Sequence, residues 1–167
     1  GYDSAGLAAH FDPSDKEARV ETERAVGYVS DLVSKVNGRF KNSVIAIGHT
    51  RWATHGGVTE VNAHPHSSED GLMSVVHNGI IENTSELLSE INESGYSMAS
   101  ETDTELIVHL LHQALGDQRT PEAALEAFQS VIGRLEGAWA IAVIVSGMDG
   151  ILVAKNGAPL VIGRCEN

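Results

Sequence analysis

The sequence has little of what marks secreted, membrane or nucleic-acid-binding chains. One of its 167 residues is cysteine, which excludes an internal disulfide and fits a reducing compartment. Basic residues are scarce, 11 against 23 acidic ones, and the net charge of -12 opposes binding to nucleic acid or an anionic membrane. The longest apolar run, 138–145, is far shorter than the roughly 20 residues of a membrane span, and no charged-then-apolar leader opens the chain. We therefore expect a soluble, cytoplasmic protein.

The residues that are present suit a single domain over 1–167, with 42% hydrophobic and 20% charged residues. A helix is expected after Gly27, because valines recur at helical spacing from Val26 to Val36, although a helix over the whole of 16–36 competes. The first two expected strands form a hairpin. Strands rich in Val, Ile and Ala are expected at 7–11, 20–26, 44–49, 71–77, 138–145, 150–155 and 159–162.

Three further helices are indicated by the residues at their starts. Asn83 and Thr102 each open a capping pattern with a glutamate three residues later, and Thr120 precedes a proline at the first helical position. Their expected apolar faces are Leu87, Leu88 and Ile91; Leu106, Leu110 and Ala114; and Leu125, Phe128, Ile132 and Leu135. Strands, then helices, then strands predict an α+β domain with mainly antiparallel sheets.

The segment HTRWATHGG at 49–57 follows an apolar strand and is rich in polar side chains. The guanidinium of Arg51 can clamp a carboxylate with two parallel hydrogen bonds, or it forms a surface ion pair. Trp52 is either a core or rim aromatic or a ligand contact. Thr54 and His55 can donate to the same carboxylate or simply cap the loop. This layout is typical of a small-ligand site.

Two later segments supply complementary groups. Asn78-Gly79 lies between apolar runs and is first of all a signal for a tight hairpin turn. Alternatively, the Asn78 amide and the Gly79 N–H are two donors for a developing oxyanion. Asp103, in the first turn of a helix, favours the helix dipole or serves as the counter-ion of a ligand ammonium. Together with Arg51, these residues can hold an amino acid by both ends.

Several histidines between positions 49 and 77 raise the possibility of a metal site, but their spacing matches no recognisable ligand pattern, so we expect no metal. No other cofactor is indicated. His109 and His112, three residues apart on a helix, predict a polar helix face. Cys165, near the C-terminus without a local base, is expected to be incidental.

The motifs resemble those of the glutaminase domain in the glutamine–fructose-6-phosphate aminotransferase family, also called glucosamine-6-phosphate synthases. The resemblance covers essentially the whole chain in order, whereas the arginine loop and acid motif of amidophosphoribosyltransferases and asparagine synthetases look different. The matching segments are GYDSAG at 1–6, HTRWATHGG at 49–57, NAHPH at 62–66, HNGIIEN at 77–83, SETDTE at 100–105 and APLVIG at 158–163.

The resemblance implies an N-terminal-nucleophile fold, a four-layer αββα sandwich of two antiparallel sheets. It also implies hydrolysis of L-glutamine, with the ammonia used to form glucosamine 6-phosphate. Carried over by position, Arg51 grips the α-carboxylate of glutamine with Thr54 and His55 nearby. Trp52 is associated with site closing and ammonia passage. Asn78 and Gly79 match the oxyanion pair, and Asp103 matches the acid that binds the amino group.

The sequence departs from the family pattern in two places. The family nucleophile is a cysteine at the mature N-terminus, whereas this chain begins at Gly1, inside the pattern. The family also continues into an isomerase half, which is absent here. We therefore expect a partial, N-terminally truncated domain without glutaminase activity of its own, whose intact form carries the isomerase domain and is a homo-oligomer. The alternative is a non-catalytic glutamine-binding or regulatory module.

Overall fold

Two antiparallel sheets form the centre of the domain in the computed structural model, which describes residues 3–15, 17–53, 56–118 and 120–164. The first sheet has the order β2-β1-β3 and the second β4-β5-β6-β7. The strands are β1 (Ser4–His10), β2 (Glu21–Val26), β3 (Ile45–Arg51), β4 (His66–Ser67), β5 (Met73–Gly79), β6 (Trp139–Val145) and β7 (Leu152–Asn156). The helices are α1 (Val29–Val36), α2 (Thr84–Glu93), α3 (Asp103–Leu115) and α4 (Pro121–Ile132).

The sheets and helices stack as four layers. On one side, Leu32 of α1 packs on Ala5 and Ala25 of the first sheet. Between the sheets lies a small core that includes Ile47 and Ile144. On the far side, α2, α3 and α4 cover the second sheet and enclose the larger core. Since alternate residues of a strand face opposite sides of its sheet, each sheet contributes to two apolar layers. The predicted αββα arrangement of antiparallel sheets is confirmed.

The first half of the chain follows the sequence prediction closely. β1 and β2 form the expected hairpin, with Ser4 opposite Val26 and Ala9 opposite Glu21. The helix begins after Gly27, so the competing helix over 16–36 is wrong, because 21–26 pairs with β1 instead. β4, a strand of two residues, had no counterpart among the predicted strands.

The strand predicted at 159–162 does not form. Gly157 makes an isolated bridge to Trp139, and the residues that follow have no regular structure. Val161 is 91% exposed and Ile162 80% exposed, so this apolar run has no cover among the described residues. Strand propensity reflects packing on a half-buried surface, and without such a surface it does not produce a strand.

Helices α2, α3 and α4 begin directly after Asn83, Thr102 and Thr120, as predicted. Thr120 caps α4 by accepting the Ala123 N–H at 3.2 Å. The capping predicted for Asn83 and Thr102 is wrong, because neither side chain bonds to the first turn of its helix. Asn83 donates to Arg134 O and accepts the Glu136 N–H, while the Thr102 hydroxyl lies 2.8 Å from Nε2 of His66. Their polar atoms join distant segments and leave the helix ends to other partners.

The predicted helix faces are partly wrong, chiefly for α3. This helix lies between the second sheet and helices α2 and α4, so residues 104–111 are all buried whichever way they point. Ala114, expected inside, is exposed, and His109, expected on a polar face, is buried. On α4, Phe128 is buried but Leu125 is 44% exposed. An apolar stripe on one face of a helix predicts which residues are buried only where the helix packs against a single neighbour.

No helix of the described residues is both long and apolar enough to span a membrane.

Candidate functional site

The end of β3 carries the arginine singled out from the sequence. Arg51 is 6% exposed and donates from a guanidinium nitrogen to Gly57 O at 3.2 Å, so the surface ion-pair interpretation is wrong. Trp52, one residue later, is 72% exposed, which excludes the core interpretation. Thr54 and His55 lie outside the described residues. A buried cation therefore stands at the edge of the sandwich beside an exposed indole.

Asn78 and Gly79 end β5 and do not form the tip of a hairpin. They pair with Ala140 and Trp139 of β6, and the chain then continues into α2, so the turn interpretation is wrong. A two-residue hairpin would place the partner strand directly after Gly79. The side chain of Asn78 is exposed, with its Oδ1 2.7 Å from Nε2 of His49 on β3.

Gly79 is required where it stands for two reasons. Its φ of 125° lies in a region that side chains with a Cβ rarely adopt. An added Cβ would also lie 2.1 Å from Ala138 O and 2.7 Å from the Cα of Trp139. The glycine thus lets the backbone of β5 approach that of β6 closely at the end of the strand.

Asp103 occupies the first turn of α3 and faces the end of β5. One carboxylate oxygen accepts the Ile81 N–H at 3.0 Å, and the other lies 3.4 Å from Nδ1 of His77. Burial by itself raises the pKa of Asp103, but the hydrogen bonds from His77 and from the backbone of Ile81 and Thr104 outweigh it and lower that pKa. The group is therefore a carboxylate at neutral pH, in the favourable field of the helix N-terminus.

A second set of contacts ties the arginine loop to the start of α3. Gly57 O accepts from both Arg51 and the Asn62 amide. Glu101, two residues before Asp103, accepts the Gly57 N–H at 2.9 Å and the Asn62 amide at 2.8 Å. Together with the His49–Asn78 and Asp103–Ile81 contacts, these bonds bring the ends of β3 and β5 and the start of α3 to one end of the sandwich.

A cluster of histidines lies behind this end. The rings of His49 and His64 stack with centroids 4.3 Å apart, and Nε2 of His64 lies 3.1 Å from the Thr104 hydroxyl. The same hydroxyl is 3.2 Å from Nδ1 of His77. Burial, together with neighbouring histidines and Arg51, lowers the pKa values of His49 and His64, so both rings are neutral at neutral pH.

The cluster is a hydrogen-bonded and stacked support. Among the described residues, no group of three or more His, Cys, Asp or Glu side chains is arranged to hold a metal ion. Gly6 of β1 allows this packing, because a Cβ there would lie 2.0 Å from His64 O. The sequence pattern raised these histidines as a possible metal site, but it did not predict the contact of His49 with Asn78. The available signal was the alternation of His49 and Arg51 on one face of β3.

A cavity of about 390 Å³ lies elsewhere, and it shares no residue with the predicted site. In its wall, His112 is hydrogen-bonded both to the Tyr96 hydroxyl, at 2.8 Å, and to the Asp70 carboxylate, at 2.9 Å. It is lined by Asp70, Ser94, Tyr96, His112, Gln113, Gly116 and Asp117.

The sequence of this chain is similar to known proteins. The family described as "Glutamine amidotransferase domain" matches residues 49–166. A glutamine–fructose-6-phosphate aminotransferase (isomerizing) of Pseudomonas syringae pv. tomato is 48% identical over 98% of this chain and 26% of its own length. The same enzyme of Idiomarina loihiensis is 44% identical over 98% of this chain and 26% of its own length. The chain thus spans about a quarter of these relatives.

Solved structures show the fold. A glutamine phosphoribosylpyrophosphate amidotransferase from B. subtilis, complexed with ADP and GMP, superposes on 94% of this chain and 32% of its own, with a TM-score of 0.69 and 23% identity. A structure described as the allosteric regulatory enzyme of purine biosynthesis covers 87% of this chain and 30% of its own, with a TM-score of 0.67 and 24% identity. The predicted N-terminal-nucleophile fold is confirmed.

Proposed function

The chain belongs to the glutamine amidotransferase domain family, and from this premise we propose that it is the glutaminase part of a glutamine–fructose-6-phosphate aminotransferase. Such a domain hydrolyses L-glutamine and supplies the ammonia for glucosamine 6-phosphate. Residues 1–167 are proposed to lie within this domain, and a separate isomerase domain of the whole protein is proposed to receive the ammonia. The whole protein is proposed to be a homo-oligomer.

One observation carries the proposal that the site binds an amino acid. The end of β5 is bonded on one side to β3, through His49 and Asn78 at 2.7 Å, and on the other to α3, through Ile81 and Asp103 at 3.0 Å. The buried guanidinium of Arg51 and the carboxylate of Asp103 are therefore supplied to one end of the fold by elements that hold the Asn78-Gly79 pair between them. This set of a cation, an anion and a pair of donors matches the three polar groups of glutamine, whose α-carboxylate and α-ammonium share one carbon and whose side-chain amide lies at the other end.

Each group is assigned a role from its chemistry. Arg51 binds the α-carboxylate of glutamine, with Thr54 and His55 as further donors, and Asp103 binds the α-ammonium. The Asn78 amide and the Gly79 N–H donate to the oxygen of the side-chain amide, which becomes an oxyanion when a nucleophile attacks its carbon. For the exposed Trp52, the family resemblance implies a part in the closing of the site and in ammonia passage.

The reaction requires a thiol, which attacks the amide carbon, releases ammonia and leaves a thioester that water hydrolyses to glutamate. The one cysteine of the 167 residues, Cys165, lies outside the described residues. We expect it to take no part, because it has neither the free α-amino group nor the local sequence motif of the family nucleophile. The 167-residue polypeptide by itself is therefore proposed to bind glutamine without hydrolysing it. Release of glutamate from glutamine by this polypeptide would overturn that expectation.

Calorimetric titration of the polypeptide with L-glutamine tests the binding site. Asp103→Asn keeps the shape of the side chain and an acceptor for the Ile81 N–H but removes the charge. A hydrogen bond to a charged group contributes about 1.5 to 3 kcal/mol, so affinity should fall roughly ten- to hundredfold. N-acetyl-L-glutamine, which has no ammonium, should bind the original chain as weakly as L-glutamine binds the variant.

The matched control is Asp149→Asn. Asp149 is exposed in the loop between β6 and β7, next to the start of β5 and thus at the opposite end of the strand from Asn78. The affinity of the Asp149→Asn variant for L-glutamine should equal that of the unchanged chain. Equal titrations for the unchanged chain and for a folded Arg51→Ala, Asp103→Ala double variant would refute the assignment of the site.

A further inference from the structure

The contact between His49 and Asn78 joins the two sheets at the proposed oxyanion site. Nε2 of His49 lies 2.7 Å from Oδ1 of Asn78. The other ring nitrogen, Nδ1, is buried and has no hydrogen-bond partner among the described residues. The amide of Asn78 reaches solvent at the end of β5, where the strand meets the proposed glutamine.

Two proton arrangements could make this contact, and they differ in what they leave unpaired. In the first, His49 carries its proton on Nε2 and donates to Asn78 Oδ1, so the unpaired Nδ1 is a lone pair. In the second, the Asn78 amide is turned around and donates to Nε2, so His49 must carry its proton on the buried Nδ1 with nothing to accept it. An unpaired buried N–H is rarer and costs more than an unpaired lone pair. The first arrangement is therefore favoured.

The surroundings keep His49 neutral and hold its ring in place. Its ring stacks on His64 at 4.3 Å with an interplanar angle of 25°, and His64 is in turn bonded to the Thr104 hydroxyl at 3.1 Å. Burial lowers the pKa of His49, and the charges of His77 and Arg51 add to this, although the bond to Asn78 opposes it. A neutral ring has one N–H, so its placement decides the direction of the Asn78 bond.

We propose that His49 is a positioning residue, which donates from Nε2 to Asn78 Oδ1 and thereby directs the Asn78 –NH₂ group away from β3 toward the solvent-exposed end of β5. The inference rests on the proposed function, because the directed –NH₂ is the donor that a developing oxyanion requires. Without this bond the amide is free to turn. In half of its orientations the carbonyl oxygen of Asn78 would then face the reacting oxygen and repel it.

The test is a nitrogen-15 NMR measurement on the histidine rings of the 167-residue chain at neutral pH. The expected result is a neutral His49 ring protonated on Nε2 and coupled across the hydrogen bond to Asn78. A ring protonated on Nδ1, or on both nitrogens, would overturn the proposal. This measurement needs no variant and no ligand, so it decides the proton placement even if glutamine does not bind.

Two variants then test the consequence. His49→Gln keeps a side-chain N–H that can reach Asn78, whereas His49→Leu keeps the volume and removes the donor. We expect His49→Leu to weaken L-glutamine binding about three- to tenfold and to abolish the shift of the Asn78 –NH₂ signals on ligand addition, and His49→Gln to restore both. Equal affinity and equal signal shifts in a folded His49→Leu variant would refute the positioning role. Failure of the unchanged chain to bind would instead refute the proposed function.

Discussion

His66 gives a quantitative prediction about how acid destabilises this fold. The residue is 3% exposed on β4, and its Nε2 lies 2.8 Å from the Thr102 hydroxyl. Burial, assisted by the positive charges of Arg24 and Arg51, lowers the pKa of His66 to about 3, although the acids Glu105 and Asp103 oppose the shift. The folded protein therefore keeps this ring neutral over a wide range of pH.

The sign of the effect follows from comparing the two states. In the unfolded chain, histidine takes up a proton near its usual pKa of 6.5, whereas folded His66 does so near 3. Between these values the unfolded state binds more protons, so acidification favours unfolding. The contribution to stability is complete above 6.5 and is lost as the pH falls toward 3. From about pH 7 to about pH 5, the free energy of unfolding should fall by about 2 kcal/mol through His66 alone.

Urea unfolding followed by circular dichroism at both pH values measures this loss. His66→Gln retains an acceptor for the Thr102 hydroxyl but does not titrate, so its free energy of unfolding should fall by about 2 kcal/mol less than that of the original chain. Ser67→Ala, on the same strand, is the control and should change stability equally at both pH values. Identical losses for the original chain and His66→Gln would refute the reasoning.

Three further changes test other parts of the structure. Glu105→Gln should destabilise by about 3 kcal/mol in urea unfolding at neutral pH, because the buried carboxylate accepts two backbone N–H groups and an amide cannot replace both bonds; a loss below about 1 kcal/mol would contradict this. Gly79→Ala should lower the thermal midpoint by several degrees, since its Cβ would meet Ala138 O at 2.1 Å, and an unchanged midpoint would be the contrary result. Thr120→Ala should cost about 1 kcal/mol by removing the α4 cap, whereas Thr120→Ser should cost almost nothing.

Buried polar side chains of α3 hold the segments that surround the start of this helix. Buried Glu105 holds the turn before α3 through the N–H groups of Ala99 and Ser100, and Thr104 on the same helix holds two histidines. Burial alone raises the pKa of Glu105, but His109 and these N–H groups reverse the shift and lower that pKa to about 2. The polar side chains of α3 thus fix the helix that presents Asp103.

The element types and most element boundaries could be predicted because they depend on local rules, whereas the four-layer order was implied only by the family resemblance. The hairpin of β1 and β2, the starts of α2 to α4 and the apolar run of β6 all follow from spacing, capping residues and strand propensity within a few positions. The strand predicted at 159–162 was wrong because a strand also needs a surface to pack on, which local rules do not supply. Its residues have the propensity, but among the described residues no sheet surface covers them.

The candidate site was predicted as a set of residue types, and the structure supplied their mutual arrangement. The sequence alone determined that an arginine, an amide beside a glycine and a helix-start acid occur at strand and helix ends. It did not determine that Asn78 meets His49, that Glu101 holds the arginine loop, or that Thr102 leaves its helix cap for His66. These contacts join segments far apart in the chain, and they depend on which faces of the two sheets and of α3 are pressed together. Local sequence preferences act between residues a few positions apart. A hydrogen bond between distant segments requires a separation of about 3 Å, which only the packing of the layers establishes.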